Sequence, residues 1–323
     1  MRKLLVLIMV MFAACSITQA EITNFPEGFP YGVSLRGVPV LVGYAGEIIW
    51  IASSNREQGN DSDNGTRKKP YKTINYAMSQ CVTDNGDIIL AKQGYEADVS
   101  TTASIRFNVK GVKLVSLGEG TSRGILTWTQ STSASIEIDQ SNCGIYNFQF
   151  KSEMDTCNSS IDVDASDFTI AGCLFEDDAT HQMQHWIFCD ENADDLKLFD
   201  NEVLQKTAGA KSWVWLVQQE NVKIWGNDIV GDYASANIAN KAVDGVVNIT
   251  IDENDLENLN AINVVIELCP TASGKIKYTV ARVKDNLSDV ISPTGNHDCS
   301  MHKNFGTKTD GTTTKLLGVV SGG

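Results

Sequence analysis

The sequence predicts an all-β chain, wound as a single-stranded right-handed parallel β-helix of about eight coils and closed at its N-terminal end by a capping helix. Three observations predict it. A short pattern returns about every 27 residues, apolar and polar side chains alternate inside each copy, and one amphipathic helical stretch lies just upstream of the first copy.

The repeated pattern is apolar, any, apolar, two residues, Asn or Cys, one residue, apolar. It reads Phe168-Thr-Ile170-Ala-Gly-Cys173-Leu-Phe175, Leu196-Lys-Leu198-Phe-Asp-Asn201-Glu-Val203, Val222-Lys-Ile224-Trp-Gly-Asn227-Asp-Ile229 and Ile249-Thr-Ile251-Asp-Glu-Asn254-Asp-Leu256. A weaker copy, Ala281-Arg-Val283-Lys-Asp-Asn286, follows, so the steps between Asn or Cys positions are 28, 26, 27 and 32. Ile145-Tyr-Asn147-Phe148-Gln-Phe150 and Val112-Lys-Leu114-Val-Ser-Leu117 are shortened members, and Asp87-Ile-Ile-Leu90 opens the series. A unit this small cannot bury its apolar face alone, so copies must stack, and strands from consecutive coils then pair in parallel. Asn suits the turn because it tolerates left-handed backbone and its amide joins a ladder from coil to coil. A leucine-rich-repeat solenoid shares the Asn but needs denser Leu and a helical half, and no helical period occurs inside these units.

An open coil end exposes unpaired strand edges, so the solenoid needs a lid. Residues 73–81 supply it: Ile74, Ala77, Met78 and Cys81 form one apolar stripe, with Thr73 as N-cap. A polar loop, Gly59 to Lys69, precedes this helix, and Asn85-Gly86 turns the chain into the first coil. Upstream, Gly46-Glu-Ile-Ile-Trp50-Ile-Ala reads as a strand. The resulting division is 1–20 signal peptide, 21–58 N-terminal lead-in, 59–303 β-helix with its cap, and 304–323 a Gly- and Thr-rich flexible tail or short partner-binding strand.

The signal reading rests on Arg2 and Lys3, the apolar run Leu4 to Ala14, and the small-residue site Thr18-Gln19-Ala20. An alternative takes Cys15 as an acylated lipoprotein cysteine. The apolar run is too short to span a bilayer and no later stretch is long enough, so export without a transmembrane segment is expected, to the periplasm, cell surface or exterior. Of the eight cysteines, seven would remain after cleavage. No CxxC occurs, and the pairs Cys143/Cys173 and Cys269/Cys299, each 30 residues apart, are compatible with disulfides between neighbouring coils or with buried thiols. With 26 Lys plus Arg against 40 Asp plus Glu, the formal charge of -14 opposes nucleic acid and anionic lipid.

The segment NGTRKKPYKTINYAMSQCVTDNGDIILAKQG, Asn64 to Gly94, resembles the opening motif of pectate-lyase-like right-handed β-helix proteins. In that motif a Gly-Thr loop and Pro-aromatic-x-Thr-Ile precede the cap helix, and Gly-Asp-x-Ile starts the first strand. The longer stretch from Phe25 to about Asn286, with FPEGFPYGVSLRGVPV and GVKLVSLGEGTSRGILTWTQSTSASIEI, is similar to uncharacterised β-helix proteins of phage and prophage structural regions. The resemblance implies a structural role at a virion or cell surface.

Chemistry is harder to read. Eliminases of the pectate-lyase type need carboxylates around Ca²⁺ and a basic residue, and no such cluster emerges. Asp177-Asp178 and Arg282-Val283-Lys284 echo fragments of the polygalacturonase pattern, whose Asn-Thr-Asp and Gly-His-Gly elements are missing; solvated turn carboxylates are the competing reading. His181 and His185 have metal spacing only on a helix, where a loop leading into a strand is expected. No Gly-x-Ser-x-Gly elbow or phosphate-cradling loop occurs. Trp186, Trp213, Trp215 and Trp225 fall on adjacent repeats, Trp186 and Trp213 being 27 apart, and alternation requires one set to face inward. Trp186, Trp213 and Trp215 are taken as the ligand-binding candidates, with core packing and subunit contact as the other readings. No catalytic residue, metal ligand or cofactor is assigned. The expected function is a non-enzymatic exported structural or adhesion protein whose partners are a homotrimer mate, a virion or cell surface, or a glycan. The alternatives are a polysaccharide lyase or glycoside hydrolase of the pectin-lyase-like fold and a non-catalytic glycan-binding module.

Overall fold

Alternation sends every second residue of each repeat inward, and in the computed structural model these residues stack in columns. The structure describes residues 33–35, 38–40, 46–53, 59–178, 180–240, 245–260, 264–269, 271–283, 291–293, 298–302, 304–308 and 314–317. The signal segment 1–20 with Cys15, and Asn286 of the weak copy, lie outside them. The chain divides into two compact units, Met1–Leu35 with Pro39–Gly43, and Arg36–Val38 with Tyr44–Gly323. Strands Val33–Leu35 and Val38–Val40 form a two-stranded sheet.

The second unit is a right-handed parallel β-helix built from three sheets. The first sheet stacks Ile48–Ile51, Ile88–Ala91, Lys113–Ser116, Gly144–Tyr146, Thr169–Ala171, Lys197–Phe199, Lys223–Trp225, Ile249–Asp252, Ser273–Lys277 and Asp298–His302. The second runs from Glu96–Val99 through Gly124–Trp128, Phe148–Ser152, Leu174–Asp177, Glu202–Ala210, Asp228–Tyr233, Asp255–Asn258 and Val280–Val283 to Asn304–Lys308. The third has eight strands, one per coil, from Ile105–Phe107 through Ile136–Ile138, Ile161–Val163, His185–Cys189, Ser212–Leu216, Ile238–Asn240 and Ile266–Leu268 to Ile291–Pro293. Within the stretch read from sequence as a tail, Asn304–Lys308 continues the second sheet, and Thr314–Leu317 pairs with it antiparallel.

Register keeps like residues above one another. Ile89, Leu114, Ile145, Ile170, Leu198, Ile224, Ile251 and Ile276 form one inward column of the first sheet, each fully buried. Burying each contributes roughly 1.5–3 kcal/mol, which is how the coils hold without long-range closure. Between the second and third sheets the core is aromatic: Trp128 meets Trp186 edge-on at 5.6 Å, and Phe175 contacts Phe150, Trp186 and Trp213 at 4.7, 5.5 and 5.9 Å. The lid is the helix Ile74–Gln80, where Thr73 Oγ1 accepts from Tyr76 N at 3.2 Å and Ile74, Ala77 and Met78 are buried.

The corner between the first two sheets carries the expected amide ladder. Asn227 Oδ1 accepts from both Asn201 N and Asn201 Nδ2 at 3.0 Å, Asn254 Oδ1 accepts from Asn227 N at 3.0 Å and Asn227 Nδ2 at 2.9 Å, and Asn201 Oδ1 accepts from Cys173 N at 3.0 Å. The left-handed residue is the one before each of these, at Gly172, Asp200, Gly226 and Glu253, and the Asn residues themselves turn their amides inward. At the next coil the ladder position is Thr279, in register with Asn254 through the pairing of Asp255 with Val280. Ala281 and Val283 therefore belong to the second sheet and not to a fifth copy of the first-sheet pattern. A second left-handed row precedes the first sheet: Gly111, Asn142, Asp167, Asp195, Asn221 and Asn248. These short polar side chains, like Gly, tolerate that backbone.

Cys81, Cys143, Cys157, Cys173, Cys189 and Cys269 are all unbridged. Cys173 stands in the ladder row and Cys143 precedes the first sheet, so 30 residues place them at different corners. Burial pushes the Cys173 thiol up to about 12 and the Cys157 thiol to about 11.

Candidate functional site

Outward residues of the second sheet form two in-register columns, and loops after the strands wall them on one side. Glu96, Ile125, Gln149 and Leu174 make the first column, and Asp98, Thr127, Lys151 and Glu176 the second. Where the cap helix begins, Lys72, Thr73 and Asn75 complete a cavity of about 670 Å³ over Glu96, Asp98 and Thr127. A second cavity of about 400 Å³ lies over Glu176, Asp177, Asp178 and His181. The two share Lys151 and Glu153, so they make a continuous groove along the sheet.

The groove is lined by six carboxylates, Glu96, Asp98, Glu153, Glu176, Asp177 and Asp178, against Lys72 and Lys151. Gln149 Nε2 donates to Glu176 Oε2 at 2.7 Å, fixing that carboxylate. Asp178 is held by its own loop: it accepts from Thr180 N at 2.6 Å, Thr180 Oγ1 at 3.0 Å and His181 N at 2.7 Å, and pairs with His181 Nδ1 at 2.7 Å. The His181 contact, with these amide donors, pulls the Asp178 carboxyl far below the usual range and raises His181. A carboxylate so strongly held in its ionised form is a poor proton donor. Arg282 lies four coils further on in the second column and pairs with Asp255, so it does not join Asp177 and Asp178.

The two histidines separate. His181 is in the groove loop, whereas His185 begins a third-sheet strand, buried, with Nδ1 against Ser212 Oγ at 2.7 Å. Desolvation first, and nearby Lys211 second, drop the His185 pKa to about 4. Among the described residues no group of three His, Cys, Asp or Glu is arranged to hold a metal.

Of the candidate tryptophans, Trp186 and Trp213 are wholly buried in the aromatic core, where an indole presents no face to a ligand. On the strand Ser212–Leu216, Trp215 lies between the buried Val214 and Leu216 and is half-buried. Trp225 lies on the outer side of the first sheet, stacked on Phe199 at 4.3 Å and 11°. Of the outer column of the third sheet, in which Arg106, Glu137, Asp162, Phe188, Trp215 and Ala239 are consecutive in register, sequence reasoning named Trp215 and missed the others. Asp162 Oδ1 is buried without a hydrogen-bond partner. Desolvation, reinforced by Asp190, Glu137, Asp164 and Asp139, raises its carboxyl to about 6. The signal was a polar or aromatic residue between two small or aliphatic inward residues in Ile136-Glu-Ile138, Ile161-Asp-Val163 and Ile187-Phe-Cys189.

Three parallel sheets and a helical lid define a single-stranded right-handed parallel β-helix. Residues 57–302 match a family described as a protein of unknown function, DUF1565, and the chain belongs to it. No curated protein matches the chain. Among solved structures it is similar to a rhamnogalacturonan lyase at 12% identity and TM-score 0.43, covering 81% of this chain and 66% of that one. It is also similar to the pectate lyase Pel9A at 14% identity and TM-score 0.42, covering 81% and 61%. A GH136 lacto-N-biosidase from Eubacterium ramulus follows at 10% identity and TM-score 0.32, covering 80% and 68%. The chain thus spans less than two thirds of the length of either lyase.

Proposed function

We propose that the protein is an exported, non-enzymatic adhesion module that holds a neutral polysaccharide along the second-sheet groove at a cell or virion surface. The observation that carries this reading is the continuity of the two cavities through Lys151 and Glu153. An extended groove suits a chain and not a compact metabolite. Its carboxylates accept hydroxyl hydrogens, and Lys151, which has no partner among the described residues, donates to ring or hydroxyl oxygens. Six carboxylates against two lysines repel a uronate polymer, which favours neutral chains over pectin-type ones. Export rests on the character of residues 1–20.

The test is a panel of neutral and acidic polysaccharides on immobilised protein, with parallel assay of reducing ends and unsaturated uronate. Binding of a neutral chain, weakened about tenfold in Lys151→Ala and Glu153→Gln by loss of charged hydrogen bonds, is expected. New reducing ends would replace the adhesion reading with a hydrolase, and uronate absorbance with a lyase.

A further inference from the structure

The groove leaves the outward side of the later coils unused, and there the two faces flanking the amide corner carry opposite charge. Each of the repeats at Asn201 and Asn227 sets a lysine and an aromatic ring outward before the corner, and a carboxylate and an aliphatic side chain outward after it. These are Lys197, Phe199, Glu202 and Leu204 on one coil, and Lys223, Trp225, Asp228 and Val230 on the next. The first-sheet face continues to Lys275 and the second-sheet face to Asp255. We propose that these faces meet between molecules, the lysine face of one copy against the carboxylate face of a second copy of this chain, so that the rods associate side by side.

Neither face is satisfied within one chain. Glu202, Asp228 and Asp255 succeed one another in a single column, about 4.8 Å apart, and like charges stacked in register repel. Arg282 pairs with Asp255, but the exposed Glu202 and Asp228 side chains make no hydrogen bond or ion pair among the described residues. Burial first, and the charge of Asp255 second, raise the Asp228 carboxyl. On the other face Asp167 pairs with Lys197 and Asp252 with Lys277, while the exposed Lys223 and Lys275 have no carboxylate partner among the described residues. A second copy supplies what each face lacks, and its coils repeat at the same spacing, so a contact made on one coil brings the next coil's charges within reach. Both faces also bring an apolar pair: Phe199 and Trp225 are stacked at 4.3 Å and half-buried, as are Leu204 and Val230 in their own column. The whole-chain charge of -14 repels a second copy at long range, but at about 0.15 M salt that repulsion is screened beyond about 8 Å, whereas groups in contact keep their attraction. The contact joins two different patches, so each copy keeps one free face of either kind and the assembly extends in rows or closes into a ring. From Lys197 through Lys223 and Thr250 to Lys275 the face spans roughly 14 Å along the stack, short of a standard interface, so association is weak and depends on concentration.

Sedimentation equilibrium of the full chain at about 0.15 M salt, at concentrations up to about 0.1 mM, tests the proposal. Species larger than a monomer are expected to grow with concentration. Lys223→Glu and Asp228→Lys should each weaken association about tenfold, because each sets like charges against one another, with circular dichroism showing that both keep the β-sheet fold. Mixed, the two variants hold one intact face each, of opposite kinds, so they should form a one-to-one dimer and nothing larger. Lys275→Glu with Glu202→Lys repeats the experiment on neighbouring coils should either of the first pair fail to fold. None of these four residues lines the groove, so the outcome is independent of what the groove holds. A chain that stays monomeric over the whole concentration range overturns the proposal, as does an assembly that both variants leave intact. It is equally overturned if the mixed variants stay monomeric, or if EDTA dissolves the assembly, since a divalent cation and not the lysine face then bridges the carboxylates.

Discussion

Replacing Asn227 by alanine probes the amide ladder where it is most heavily used. The side chain is 1% exposed, and it accepts from Asn201 N and Asn201 Nδ2, both at 3.0 Å. Its own Nδ2 donates to Leu198 O and Trp225 O at 3.0 Å and to Asn254 Oδ1 at 2.9 Å. Alanine leaves the Asn201 main-chain N–H and amide without their acceptor, at about 1–3 kcal/mol for each buried orphan. With little room for water, the sum is about 3–4 kcal/mol, well above the roughly 1 kcal/mol of an average substitution. Urea unfolding followed by both circular dichroism and tryptophan fluorescence measures it, with coincident transitions as the condition for a free energy. Asn192→Ala, which removes an exposed 2.7 Å bond to Asp164, is the control and should change stability by less than about 0.5 kcal/mol. Asn227→Asp sharpens the test. The carboxylate still accepts from Asn201 but faces three oxygens with nothing to donate, so its folded pKa is raised. The penalty is then least below the unfolded value and grows as pH rises through the folded one. An Asn227→Ala protein within about 1 kcal/mol of the parent would refute the ladder as a source of stability.

Three other predictions follow from burial and charge. Protonation of His185 is disfavoured in the folded state, so its contribution is complete above about pH 6.5 and is lost as pH falls toward about 4; His185→Gln should flatten the acid limb of a pH-stability profile. Asp162 has the opposite sign: its raised pKa means ionisation opposes folding as pH rises through about 4 to 6, and Asp162→Asn should stabilise the protein at pH 7 by about 1 kcal/mol after solvent screening, with no gain below pH 4 by calorimetry. The native thiols Cys157, Cys173 and Cys189 should resist iodoacetamide over hours at pH 8 and react at once in denaturant; mass spectrometry showing rapid native labelling of Cys173 would contradict its burial.

The coil was legible because its physics is local. A two-residue period and a buried Asn recur at the coil length, and both survive in sequence as spacing. The ladder at Asn201, Asn227 and Asn254 is in line as the spacing requires. What sequence misplaced were features that depend on the corner rather than on the strand. At Asn201, Asn227 and Asn254 the left-handed residue proved to be the one before, because these side chains must point inward to reach their neighbours, whereas Asn147 is itself left-handed as the turn reading expects. The weak copy at Ala281 went to the wrong sheet, since alternation looks the same on all three. The groove was not legible. Lys151 and Glu153 come from one coil and Glu176 from the next, and a single repeat carries no mark of which outward position faces a wall. Trp213 and Trp215 share a parity, so alternation alone sets them on one face; they part because Trp213 N and Val214 N both donate to Asn237 O, an irregularity at the start of the strand that spacing does not record.

The reversal at Thr314–Leu317 has a further consequence. Stacked parallel coils form a template, and a second molecule could in principle continue the stack end to end into a fibre. At the C-terminal end of the second sheet the edge offered to a newcomer belongs to a strand running the opposite way, so a coil arriving in the parallel sense finds the wrong hydrogen-bond polarity. The reversal guards the second sheet, and the helix Ile74–Gln80 packs over the first strands at the opposite end.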